Sequence, residues 1–115
     1  MAAKPSPEEV WDALNELRRA LNDAYWEVKV IDEKSADRLL ALAQDIDSIQ
    51  DDMDRDEIIS NTAEYKKLKS RVNGVNDKLN QLKDDIDGLI HKVETTTKIV
   101  GFIEKAVNLA AKFFV

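Results

Sequence analysis

The chain contains no cysteine, which excludes a disulfide, a thiolate nucleophile and a cysteine-ligated metal site. That absence suits a reducing compartment. The expected location is cytoplasmic, either free or peripheral to a membrane. Histidine occurs once, at position 91. A three-ligand catalytic zinc site would need further ligands in a preformed cavity; with Lys92 next to it and Lys83 nearby, His91 is expected on the rim. With no second histidine and no cysteine, serine and threonine have no triad partners. No glycine-rich phosphate loop occurs. No catalytic residue, metal, cofactor or small-molecule substrate is therefore expected, and the chain is not expected to be an enzyme.

Glycine and proline are also scarce, at three and two residues. Both prolines, Pro5 and Pro7, lie near the start. A β-rich fold of this size would need many more turn residues, so the fold class is all-α. The opening "MAAKPSPEEV" has no apolar core of the kind a secretory signal requires, and no Sec-type signal peptide is expected. The longest apolar stretch, "KIVGFIEKAVNLAAKFFV", is interrupted by Glu104, Lys105 and Lys112, which makes it a poor membrane span.

What is present suits a single helical domain over residues 1–115. Hydrophobic residues make up 43% and charged residues 35% of the chain, too apolar for a disordered polymer. The net charge of −6 argues against nucleic acid as a partner. It is unevenly spread: residues 1–30 carry −2, residues 31–61 carry −7 and residues 62–115 carry +3. The acidic middle is expected to pack alongside the basic final segment.

Three long helices are predicted, over about 7–30, 36–54 and 62–113, packed as an antiparallel bundle with coiled-coil-like seams. In "SPEEVW", Ser6 is a candidate N-cap, Pro7 a first helical residue and Glu9 the end of a capping box. The seam of the first helix is Val10, Leu14, Leu17, Leu21, Ala24, Val28 and Ile31, with Trp11 and Tyr25 beside it. Ser35 is a candidate cap for the second helix, whose seam is Leu39, Leu42, Ile46, Ile49 and Met53. Its other faces carry many aspartates. Asn61 and Glu64 are candidates to cap and box the third helix.

From Tyr65 the pattern keeps one heptad phase. Tyr65, Val72, Leu79, Ile86, Val93, Val100, Val107 and Phe114 occupy one position. Leu68, Val75, Leu82, Leu89, Thr96, Ile103 and Ala110 occupy the other. A continuous helix over 62–113 would span about 75 Å, roughly twice the first helix. Beyond Lys98 the apolar stripe widens to include Ile99, Phe102, Ala106, Leu109 and Phe113, while Lys98, Lys105 and Lys112 recur every seven residues opposite. So wide a face must be enclosed on several sides.

Three resolutions compete. The chain can break near Thr95–Thr97, where three β-branched residues weaken the helix, and fold back as a fourth helix. Two or more copies can bury each other's tails. Or the tail can lie in a membrane interface with its lysines toward the head groups.

"DMDRDEIISNTA" (residues 52–63) places aspartates at the first, third and fifth positions of a calcium loop. Glu57 stands where the turn glycine belongs and Ala63 where the bidentate glutamate belongs, so it is expected to be a solvated acidic turn. The functional expectation is a non-enzymatic interaction or scaffold protein, working with a protein partner or as a homo-oligomer. The candidate contact residues are Ile99, Phe102, Ile103, Leu109, Phe113 and Phe114, with Trp26, which falls off the seam, as a side contact. The alternative is a membrane- or lipid-surface protein, a toxin component or coat protein, using the same tail with Lys98, Lys105 and Lys112 at the head groups.

Overall fold

A computed structural model of the chain describes residues 5–53, 63–88 and 94–114, apart from the side chains of residues 63, 64, 86–88 and 94–97. The described residues form four helices: α1 (Pro7–Lys29), α2 (Glu33–Met53), α3 (Ala63–Gly88) and α4 (Glu94–Phe113). The fold is all-α, and the four-helix alternative is the one observed. Residues 62–113 are not one rod. A helix of about 75 Å would also exceed the molecule's longest extent of 44 Å. Helix α4 begins at Glu94, so Thr95–Thr97 lie in its first turn.

Helix α1 begins as the sequence predicts. Ser6 accepts a hydrogen bond from the Glu9 amide at 3.1 Å, and Pro7 occupies the first turn. The cap of α2 is Asp32, not Ser35. Its carboxylate accepts from the Ser35 amide at 3.3 Å and from the Ser35 hydroxyl at 2.8 Å. A carboxylate satisfies the orphan donors of a first turn and complements the helix dipole better than a hydroxyl does. Asn61 and His91 lie outside the described residues, as do Asp54, Asp56 and Glu57 of the acidic turn.

The helices run up, down, up and down. Helix α1 packs on α2 and α4, and α3 packs on the same two. Among the described residues no close backbone approach joins α1 to α3 or α2 to α4. Alanines let α1 sit close to its neighbours: Ala13, Ala20 and Ala24 on α1, Ala36 and Ala43 on α2, and Ala106 and Ala110 on α4 are all buried. Helix α3 instead fills the remaining groove with Tyr65, Leu68, Val72, Val75, Leu79 and Leu82.

Along α2 and α3 the register is written in charge. Arg38 pairs with Asp85 at 2.5 Å, Asp45 with Lys78 at 3.7 Å, and Asp52 with Arg71. Each step of seven down α2 meets a step of seven back along α3, as antiparallel helices require. The acidic middle of the chain thus does lie against the basic start of its final segment.

The interior seam of α4 differs from the expected one. Ile99, Ile103, Ala106, Ala110 and Phe113 are buried, whereas Val100 and Val107 are only half-buried. Ile103, Ala110 and Phe114 keep the expected heptad phase, while the place expected for Val100 and Val107 is taken one residue earlier by Ile99 and Ala106. A stripe four positions wide offers two adjacent seams, and the antiparallel return selects the one facing α1 and α3.

Candidate interaction surface

The apolar tail is largely consumed by the fold. Ile99 and Ile103 are fully buried, Phe113 and Phe114 nearly so, and Phe102 and Leu109 half-buried. The Phe114 ring lies 4.7 Å from that of Phe113 and 5.6 Å from that of Tyr65, whose hydroxyl donates to the Phe113 carbonyl at 3.4 Å. Of the three resolutions for the tail, burial as a fourth helix is the one observed. As free contact residues Ile99, Ile103, Phe113 and Phe114 are therefore corrected to core. Burying each is worth roughly 1.5–3 kcal/mol, and the neighbouring helices already supply that enclosure.

The lysines lie on the outside, but not as an unpaired row. Lys98, Lys105 and Lys112 are exposed, and Lys105 pairs with Glu16 of α1 at 3.3 Å.

Trp26 stands apart from the other candidates. It is 66% exposed and belongs to a small apolar surface with Val30, at 86%, and Ile31, at 44%. Ile31 was expected on the inner seam. Helix α1 stops at Lys29, and the turn formed by Ile31 and Asp32 amides donating to the Val28 carbonyl carries Ile31 away from the core. Tyr25 meets Trp26 edge-on at 5.2 Å. The Lys29 ammonium lies 5.5 Å from the Tyr25 ring centre and 5.4 Å from that of Trp26, within cation–π range.

Beside Trp26 a groove of about 460 Å³ runs between α1 and α4, lined by Ala20, Asp23, Trp26, Glu27, Lys98 and Phe102. The structure thus brings together Trp26, Phe102 and Lys98 from the sequence-derived set. It leaves Leu109, Lys105 and Lys112 elsewhere along α4. The sequence reading missed Val30, Asp23 and Glu27. The first needed the helix end to be placed, and the carboxylates needed the position of α4.

Among the described residues no group of three or more histidine, aspartate or glutamate side chains could hold a metal ion, and no helix is long and apolar enough to cross a membrane. Comparison with protein-family models, curated proteins and solved structures finds no match.

Proposed function

We propose that this chain is a non-enzymatic helical interaction module that meets a protein partner through the end of α1 carrying Trp26, Val30 and Ile31. One observation carries the reading: among the described residues, these are the large apolar side chains left exposed, and they lie within six residues of one another. The other large apolar side chains among the described residues are buried in the core or packed partly buried against it. Tryptophan is enriched among the residues that anchor protein interfaces.

The test is site-specific photo-crosslinking in the native host. A photoreactive phenylalanine analogue replaces Trp26 in one version and Asn73, exposed on the outer face of α3, in another. One defined adduct from position 26, absent from position 73 and lost on Val30→Asp, is the expected result. An adduct at twice the chain mass would identify a homo-oligomer. No adduct, or the same adducts from both positions, would overturn the proposal. The membrane-surface alternative would use Lys98, Lys105 and Lys112, but the apolar side chains of α4 face inward, so α4 would first have to leave the bundle. Flotation of the intact chain with anionic vesicles would favour that alternative.

A further inference from the structure

Of the chain's seven asparagines only Asn73 is followed by glycine. The pair lies in the interior of α3, and both residues are exposed. A β-carbon built on Gly74 meets nothing within 4 Å, so no neighbouring helix shields the pair from water.

Asparagine before glycine holds both reactants of an internal substitution. The Gly74 nitrogen can attack Cγ of Asn73, because no β-carbon crowds that nitrogen and the glycine backbone turns freely. The new N–Cγ bond closes a succinimide ring as the Cγ–Nδ2 bond breaks, and the Gly74 amide proton leaves with the departing group as ammonia. Water then adds to either imide carbonyl and opens the ring to aspartate or to isoaspartate. One water enters and one ammonia leaves, and no oxidant or reductant is needed.

The helix holds this chemistry off. Inside α3 the Gly74 N–H is engaged by the carbonyl four residues back, and the helical backbone at Asn73 turns that nitrogen away from Cγ. Attack must wait for the turn around residue 73 to unwind. Helix α3 makes sparser backbone contact with its neighbours than α1 does, and Gly74 lowers the helix-forming tendency at the site itself.

We infer that Asn73–Gly74 is a self-modification site, with water as the co-reactant and the opening of α3 as its gate. Where closing outpaces reaction, the rate follows the population of the open form. The conversion does not reverse. An isoaspartyl product routes the main chain through the former side-chain carbon, adding a methylene to the backbone of α3 along with a negative charge. The chain thereby keeps a lasting mark of how often α3 has opened.

The experiment incubates the intact chain at physiological temperature and mildly alkaline pH, beside a synthetic peptide of residues 70–78 as the ungated reference. Peptide mapping by mass spectrometry reads the exchange of NH₂ for OH, and chromatography separates the aspartyl and isoaspartyl products. Conversion is expected at Asn73 before any other asparagine. It is expected to be slower than in the peptide by the factor by which hydrogen exchange finds the Gly74 amide protected. Asp45→Asn with Asp52→Asn removes two ion pairs to α3 from the α2 side. That variant is expected to convert severalfold faster, by the same factor as its protection falls. Gly74→Ala is expected to slow conversion severalfold in the peptide and further in the chain. The isolated isoaspartyl chain is expected to lose protection at Leu68, Val72 and Leu79.

Conversion of the intact chain at the peptide's rate, or a variant rate that departs from its measured protection, overturns the gate. Asn73 still intact after the interval that peptide rate and protection together set overturns the site, as does earlier conversion of another asparagine. An isoaspartyl chain with full protection in α3 overturns the lasting mark.

Discussion

Gln50 follows Ala36 and Ala43 at steps of seven along α2, and it alone of the three is polar. It is 3% exposed, yet its polar atoms are met. Its amide donates to the Trp11 carbonyl at 3.3 Å and to Asn15 Oδ1 at 3.4 Å, and its oxygen accepts from Arg18 Nε at 3.0 Å. Arg18 also donates to Asn15 at 2.8 Å. A buried polar group with this many partners fixes which stretch of α1 faces which stretch of α2, because a slip would take Gln50 away from all three of its α1 partners. Gln50→Ala is expected to lower stability by about 1–3 kcal/mol, read as a lower urea midpoint with an unchanged slope. An unchanged midpoint would show that the network contributes nothing to the fold. Gln50 illustrates what spacing conceals: hydropathy places Leu39, Leu42, Ile46, Ile49 and Met53 inside, and all five are buried. A polar residue on the same face carries no apolar signal, and its burial depends on Trp11, Asn15 and Arg18 arriving from another helix.

Individual helices show where local and tertiary preferences agree and where they part. Helix α1 needs no tertiary information to begin, because Ser6, Pro7 and Glu9 specify its first turn. Helices α3 and α4 each carry one glycine in the interior, Gly74 and Gly101, that costs helix-forming tendency without evident return. A β-carbon built at Gly74 or Gly101 meets nothing within 4 Å, and both residues are exposed. Gly74→Ala and Gly101→Ala are therefore expected to stabilise the fold by about 0.5–1 kcal/mol each. They should add nearly independently if the sites do not interact. Thermal unfolding of the single and double variants checks this, and a loss at either position would mean that the glycine is needed there. The same scale limits what the sequence reveals about the last helix. In α3 every expected seam residue from Tyr65 to Leu82 is buried, with Asn76 added to them. In α4 both Ile99 and Val100, and both Ala106 and Val107, are apolar, so hydropathy cannot choose between adjacent phases. The choice belongs to the contact with α1 and α3. Trp26 was legible as a surface residue because it lies off a narrow seam, whereas its groove exists only once α4 has folded back beside it.

The four helices are not equally held. Helix α1 sits against α2 and α4 over alanine-lined contacts, which bring the backbones close. Helix α3 makes sparser contact with both its neighbours. Its seam with α2 is bordered by the ladder of Arg38–Asp85, Asp45–Lys78 and Asp52–Arg71. The sign of that ladder reverses at one rung, and the reversal acts against slippage. A shift of one heptad would set Arg38 against Lys78 in one direction and Asp45 against Asp85 in the other. Like charges in such positions disfavour the wrong register by an amount similar to what an exposed ion pair contributes to the right one, no more than about 1 kcal/mol per pair. Native-state hydrogen exchange should therefore find α3 opening at lower free energy than α1, because local stability follows the density of buried contact. Amides of Leu68, Val72 and Leu79 should exchange by a partial opening while those of Leu14, Leu17 and Leu21 wait for global unfolding. Raising the salt to about 1 M, where the screening length falls to about 3 Å, should lower protection in α3 by a few tenths of a kcal/mol and leave α1 nearly unaffected. Equal protection in the two helices would mean that the large side chains of α3 compensate fully for its wider spacing. A loss of protection in α1 alone would place the weak seam on the other side of the bundle.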